Sequence, residues 1–155
     1  MSVAPLIASG IGILLLIVTA YVLVGGTLTT TEVMIEAQTN LARYQEARMR
    51  TAIEIQETAI EGNILRIDVK NSGSEPIVDI ALIDVYILIN GAPVYIPYGG
   101  EGSLQWRNAG IDPDHIHPGE LDPDETLIIE VIHEEDPVWV QVVTPNGVSS
   151  SAYIR

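Results

Sequence analysis

The sequence contains no cysteine and no phenylalanine. The first absence excludes disulfides and thiolate metal sites. The second leaves any hydrophobic core to Ile, Val and Leu. Charge is missing too: the first charged side chain in the chain is Glu32. Beyond residue 50 cations become scarce instead. Arg66, Lys70, Arg107 and Arg155 face eighteen carboxylates there, so the whole formal charge of −14 lies in residues 51–155. Such a surface repels phosphate backbones and excludes nucleic-acid binding; it favours cationic partners, divalent ions or a salty milieu. Catalytic signatures are also lacking: there is no G-x-S-x-G, no H-E-x-x-H and no phosphate-cradling glycine loop. None of the six Asn residues stands in a glycosylation sequon.

What is present begins with an apolar run over residues 3–28, LIASGIGILLLIVTAYVLVGG at its centre. A bilayer core about 30 Å thick needs roughly 20 apolar residues in a helix rising about 1.5 Å per residue. The run meets that length, and we read it as a transmembrane helix. Gly10-Ile-Gly12 within it suits close packing against another helix. No basic residue precedes the run and no clean cleavage pattern follows it, which points to an uncleaved anchor. A large acidic β-domain after an N-terminal anchor suggests the outer face of the membrane.

Residues 32–50 are rich in helix formers and free of Gly and Pro. Met34, Ala37, Leu41 and Tyr44 recur at steps of three and four, a narrow stripe suited to one neighbour. Near Thr51 the period changes to alternation, so the domains are expected at 1–50 (anchor helix and polar rod) and 51–155 (β head). Ile53–Gln56, Leu65–Lys70, the apolar run Ile77–Ile89, Pro93–Pro97, Leu104–Trp106, Thr126–His133, Val138–Thr144 and Val148–Ile154 read as strands. Asn90-Gly91 marks a tight hairpin, because both central residues of a type I′ turn need positive φ. Residues 107–125 read as a long loop. The fold expected is α+β, a long transmembrane α-helix followed by an antiparallel Ig-like β-sandwich.

Candidate chemistry is sparse. Asp112–Glu125 (DPDHIHPGELDPDE) carries clustered carboxylates on a Pro-stiffened loop. It reads as a solvated acidic loop or as a divalent-cation site, although it does not follow the EF-hand pattern. His115 and His117, two apart on an extended segment, could form a zinc pair with an Asp. His133 reads as a surface edge residue. Trp139 alternates with Val138 and Val140 and is expected in the sandwich core, while Trp106 fits core or surface equally. Tyr95, Tyr98 and Trp106 around the loop Gly99–Gly102 form the candidate partner-binding surface, since loop aromatics often anchor interfaces. No cofactor is called for beyond that cation.

Three features together carry a family resemblance. They are the apolar helix running into a polar rod, V-K-N-S-G-S (Val69–Ser74) ahead of the I-N-G-x-x-V hairpin (Ile89–Val94), and V-V-T-P-N-G-V (Val142–Val148) near the end. The chain resembles the archaeal flagellin (archaellin) superfamily with its type IV pilin-like layout, and within it the archaellum accessory proteins of the FlaF and FlaG type. The resemblance implies a non-enzymatic archaeal envelope protein whose head lies between membrane and S-layer. It would bind S-layer protein or a sister archaellum protein, as a homo- or hetero-oligomer, and act as a stator. Filament subunits carry a basic residue and Gly before a cleaved site, and none precedes the run here, which favours the accessory role. The alternative is a filament subunit with its helix in an extracellular filament core. A periplasmic solute- or ion-binding module is a third class.

Overall fold

In the computed structural model, which describes residues 3–99 and 102–154, one helix precedes eight strands. The described residues fall into two compact units, Met1–Arg43 and Tyr44–Arg155. The first consists of helix α1, Ala4–Arg50, whose last two turns belong to the second unit. At 1.5 Å per residue, α1 is about 70 Å long. Leu, Ala, Thr and Ile are its commonest residues, and no described side chain of its apolar stretch is buried. The hydroxyls of Ser9, Thr19 and Thr27 are satisfied from within. Ser9 Oγ donates to Leu6 O at 2.9 Å, Thr19 Oγ1 to Leu15 O at 2.9 Å and Thr27 Oγ1 to Leu23 O at 3.0 Å. A hydroxyl bonded to its own helix carries no unmet hydrogen bond into an apolar medium.

The second unit is an antiparallel β-sandwich. Its strands are β1 (Ile53–Glu61), β2 (Ile64–Asn71), β3 (Asp84–Ile89), β4 (Ala92–Ile96), β5 (Gln105–Asp112), β6 (Thr126–Ile132), β7 (Trp139–Val143) and β8 (Ser149–Tyr153). One sheet runs β1-β2-β6-β5 and the other β4-β3-β7-β8. That is the immunoglobulin arrangement, the A-B-E-D sheet against C-F-G with one extra strand beside C. Alternation sends Leu65, Ile67 and Val69 of β2 and Leu127, Ile129 and Val131 of β6 inward. Val85 and Ile87 of β3 and Val140 and Val142 of β7 meet them from the other sheet. Full burial of each such side chain contributes about 1.5–3 kcal/mol. The β3–β4 hairpin turns on Asn90 (φ 51°) and Gly91 (φ 77°), the paired positive φ of a type I′ turn.

Three sequence expectations fail here for local reasons. The run Ile77–Ile89 is not one strand: Ile77 pairs only with Leu121, a short 3-10 turn spans Ile80–Leu82, and β3 starts at Asp84. Strand β5 continues to Asp112 where a loop was expected from residue 107. A bulge between Asn108 and Gly110, with Asn108 Oδ1 accepting the Gly110 N–H at 2.8 Å, shifts the phase and hides the alternation. His133 is buried, not at a surface edge. It continues the inward phase of Leu127, Ile129 and Val131, and its backbone N–H donates to Asn63 O at 2.9 Å.

The loop Asn71–Glu75 clasps the end of α1. Ser74 N–H donates to Arg50 O at 2.8 Å, and Ser72 and Gly73 N–H both donate to Ala52 O, at 2.9 and 3.0 Å. The bond from Ser74 satisfies one of the end carbonyls that a helix leaves unpaired, and the two to Ala52 hold the residues just after it. A Cβ on Gly73 would lie 2.4 Å from Arg50 O and 2.5 Å from Ala52 N, so only glycine fits. Asn71, fully buried, holds the loop by donating to Glu75 O and Leu121 O and accepting from Gly73 N–H. The turn Thr144–Gly147 grips the same helix end. Asn146 Nδ2 donates to Thr51 Oγ1 at 2.6 Å, and the Tyr44 hydroxyl donates to Asn146 O at 3.2 Å. The N-S-G-S and T-P-N-G motifs therefore build one joint.

Candidate functional site

The three aromatics expected to form one surface are separated by the fold. Trp106 is fully buried in the core, which corrects its assignment to a binding surface. Its inward phase on β5, opposite Val131, puts it there. Tyr98 lies against it, ring centroids 4.6 Å apart and edge-on, and is itself 44% exposed. Mutual backbone bonds fix this corner: the Trp106 amide N–H donates to Pro97 O and the Gly99 amide N–H to Trp106 O, each at 2.9 Å. Gly100 and Glu101 of the neighbouring loop lie outside the described residues. Tyr95 stands elsewhere, on the outer face of β4, 51% exposed.

That outer face is what the sequence did not reveal. Tyr95 pairs with Tyr86 across β3–β4, their centroids 5.5 Å apart and tilted by 55°. Tyr86 in turn stands opposite Gln141, and Gln141 opposite Ser151. The next row places Pro93, Leu88, Trp139 and Tyr153 side by side across all four strands. Trp139 is thus half-buried on the outer face and not in the core, because Val140 and Val142 take the inward phase. Tyr153 is 76% exposed. Among the twenty-one residues of these strands, Asp84 carries the single charge. Partial burial, then the Asp84 charge and its hydrogen bond, push the Tyr95 phenol above its usual 10.0 and keep the face neutral there. The signal was available in the period-2 phase of β3, β7 and β8, once Val85, Ile87, Val140 and Val142 are assigned inward.

The acidic loop is held by its own carboxylates. Asp122 is buried; its Oδ2 accepts the His117 backbone N–H at 2.8 Å and its Oδ1 lies 3.0 Å from His117 Nδ1. Glu125, also buried, accepts from His115 N–H at 3.0 Å and Asp122 N–H at 3.1 Å. Asp114 accepts the Gly119 N–H at 3.2 Å. The hydrogen bond to Asp122, and then its charge, hold His117 above its ordinary 6.5. The same bond holds Asp122 below its ordinary 3.8. Among the described residues, His117, Glu120 and Asp122 form the one group able to converge on a cation, with ligand atoms within 4.8 Å of one another. His115 is not part of it; its backbone, not its ring, is what Glu125 engages. A cation would have to displace the proton that Asp122 stabilises on His117 and compete with the backbone donors.

No protein-family model matches the sequence, and no curated protein matches it significantly. Solved structures do. The archaellum periplasmic stator protein FlaG from Sulfolobus acidocaldarius is similar with a TM-score of 0.55 and 22% identity, over 66% of this chain and 97% of that one. The archaellum periplasmic stator protein complex FlaF and FlaG from the same organism is similar with a TM-score of 0.54 and 21% identity, over 64% of this chain and 85% of that one. At these identities the likeness establishes the fold. The chain carries the β-sandwich of the archaellum stator proteins behind a long apolar helix, as the resemblance in its motifs implied.

Proposed function

We propose that this protein is a non-enzymatic, membrane-anchored structural component of the archaellum, an accessory subunit of the stator kind. The apolar run, residues 3–28, sits in the cytoplasmic membrane, the polar rod to residue 50 leads out of it, and the 51–155 head stands outside. There the head holds a sister archaellum protein or the S-layer. The observation that carries this reading is the structural match of 66% of this chain to 97% of a solved stator-protein chain, together with a helix long and apolar enough to cross a bilayer. The acidity of the head suits a salty exterior. The mechanism is mechanical: the sandwich, hydrogen-bonded to the end of its helix at Tyr44, Arg50 and Thr51, transmits force between the membrane and an external partner.

The test is deletion in the native archaeon, with recovery of the tagged full-length protein from its membranes. Loss of swimming, with co-purification of an archaellum accessory protein or the S-layer protein, is expected. Unimpaired swimming would overturn the reading. Mass spectrometry of the native N-terminus adds a second check. Intact Met1, or loss of Met alone, agrees with an anchored accessory protein, whereas cleavage before the apolar run would make the chain a filament subunit.

A further inference from the structure

We propose that Asn146 is a site of spontaneous deamidation gated by the joint between α1 and the head. It is shielded while the joint is closed, converts when the joint opens, and cannot rebuild the joint afterwards. Of the six asparagines, Asn90 and Asn146 precede a glycine. Asparagine is a thermolabile residue, and a following glycine, with no side chain, lets its backbone nitrogen reach the asparagine Cγ. That nitrogen, having given up its proton, attacks Cγ and closes a five-membered succinimide, and Nδ2 leaves as ammonia. Water then opens the ring at either carbonyl, leaving aspartate or isoaspartate. No oxidant or reductant takes part.

The two sites share a dipeptide and differ in their bonds. Asn90 and Gly91 are exposed at the tip of the β3–β4 hairpin, where the Asn90 amide donates to the exposed Glu135 carboxylate. At Asn146 the nucleophile, the leaving group and the carbonyl oxygen are all held. The Gly147 N–H, which supplies the nucleophile, donates to Thr144 O at 2.8 Å. Asn146 Nδ2, the leaving group, donates to Thr51 Oγ1 at 2.6 Å, and Oδ1 accepts from Thr144 Oγ1 at 2.6 Å. Breaking these bonds before ring closure slows the reaction about tenfold or more. Conversion also removes what the joint uses. The Thr51 hydroxyl already donates to Ala47 O at 2.8 Å, so the product carboxylate would stand against its lone pairs. Isoaspartate lengthens the main chain and displaces the Asn146 carbonyl that accepts the Tyr44 hydroxyl. The inference rests on the joint and requires no role in the archaellum.

The test ages the full-length protein in detergent at mildly alkaline pH and follows each site by peptide mass spectrometry. In folded protein Asn90 should convert about tenfold faster than Asn146, and in urea the two should convert alike. Thr51→Val removes the partner of the leaving amide, and Gly73→Ala strikes the same joint from its other side. Each should speed Asn146 about tenfold and leave Asn90 unchanged. Asn146→Asp stands in for the aged state. Trypsin should cut it after Arg50 about tenfold faster than wild type, because cleavage follows the open population. Tryptophan fluorescence monitors folding throughout. Asn146 converting as fast as Asn90 in folded wild type would overturn the proposal, as would rates indifferent to both joint variants. So would an Asn146 inert even in urea, or tryptic cutting of Asn146→Asp at the wild-type rate.

Discussion

The two sheets of the head share one core and one strand geometry, yet they present opposite surfaces. Strands β1, β2, β5 and β6 carry six carboxylates and three cations, laid out so that charges answer one another. Arg66 bonds Asp68 at 3.0 Å, and Arg107 Nε bonds Glu130 at 2.8 Å. The β4-β3-β7-β8 sheet carries aromatics, Leu88 and Val143 where those charges would be. A sheet that needs only water on its outer face can alternate apolar with charged residues freely. The second sheet departs from that pattern, so the two outer faces differ in charge and not in strand geometry.

The deepest cut falls on what the two sheets have in common. Trp106→Ala should cost about 3–5 kcal/mol through the cavity it opens, read as a shift in urea midpoint at unchanged slope. Gly73→Ala leaves both faces intact and strikes the joint with α1. Its Cβ has backbone atoms at 2.4 and 2.5 Å, and a loss of about 1–3 kcal/mol is expected in the same assay.

The acidic loop gives a pH-dependent test. His117 is raised by Asp122, so its contribution is complete below 6.5 and is lost as pH climbs through its elevated value. Asp122 is lowered by His117, so its contribution is complete above 3.8 and is lost as pH falls through its depressed value. Wild type should therefore exceed His117→Gln in stability at about pH 5, with the gap closing by about pH 8. A gap independent of pH would show that the pair is not ionic.

The smallest effects sharpen the contrast between the faces. Arg107→Ala removes an exposed pair and should cost less than about 1 kcal/mol. Trp139→Ser should cost about 1 kcal/mol or less in stability. It should nevertheless reduce binding of an apolar fluorescent dye, which Arg107→Ala should leave unchanged. Equal dye binding in both variants would erase the distinction drawn between the sheets.

Much of this architecture was written in local pattern. The apolar run, the alternation of β2 and β6, and Asn90-Gly91 each declare themselves within a few residues. The failures share a cause: facts decided by partners far away in the chain. Trp106 and Trp139 exchange places because which phase of a strand faces inward depends on the opposing sheet. Trp139 stands beside Val138, which is exposed, so its apolar neighbours gave no usable phase. His133 was read as exposed from the acidic residues after it, although the strand before it sends it inward. Of the candidate surface, Tyr95 and Tyr98 were visible as exposed aromatics. Tyr86, Trp139 and Tyr153 were not, because they come together only through the pairing of β3, β7 and β8.

The clasp on the helix end decides where the molecule can be divided. Cutting at Thr51, where the periodicity changes, would strip away Tyr44 and Arg50 and leave the Ser74 amide without its acceptor. A lipid-free version for crystallisation or calorimetry should begin at or before Tyr44. A chimaera that grafts this sandwich onto a foreign anchor must likewise carry the last two turns of the original helix along with the 71–75 loop.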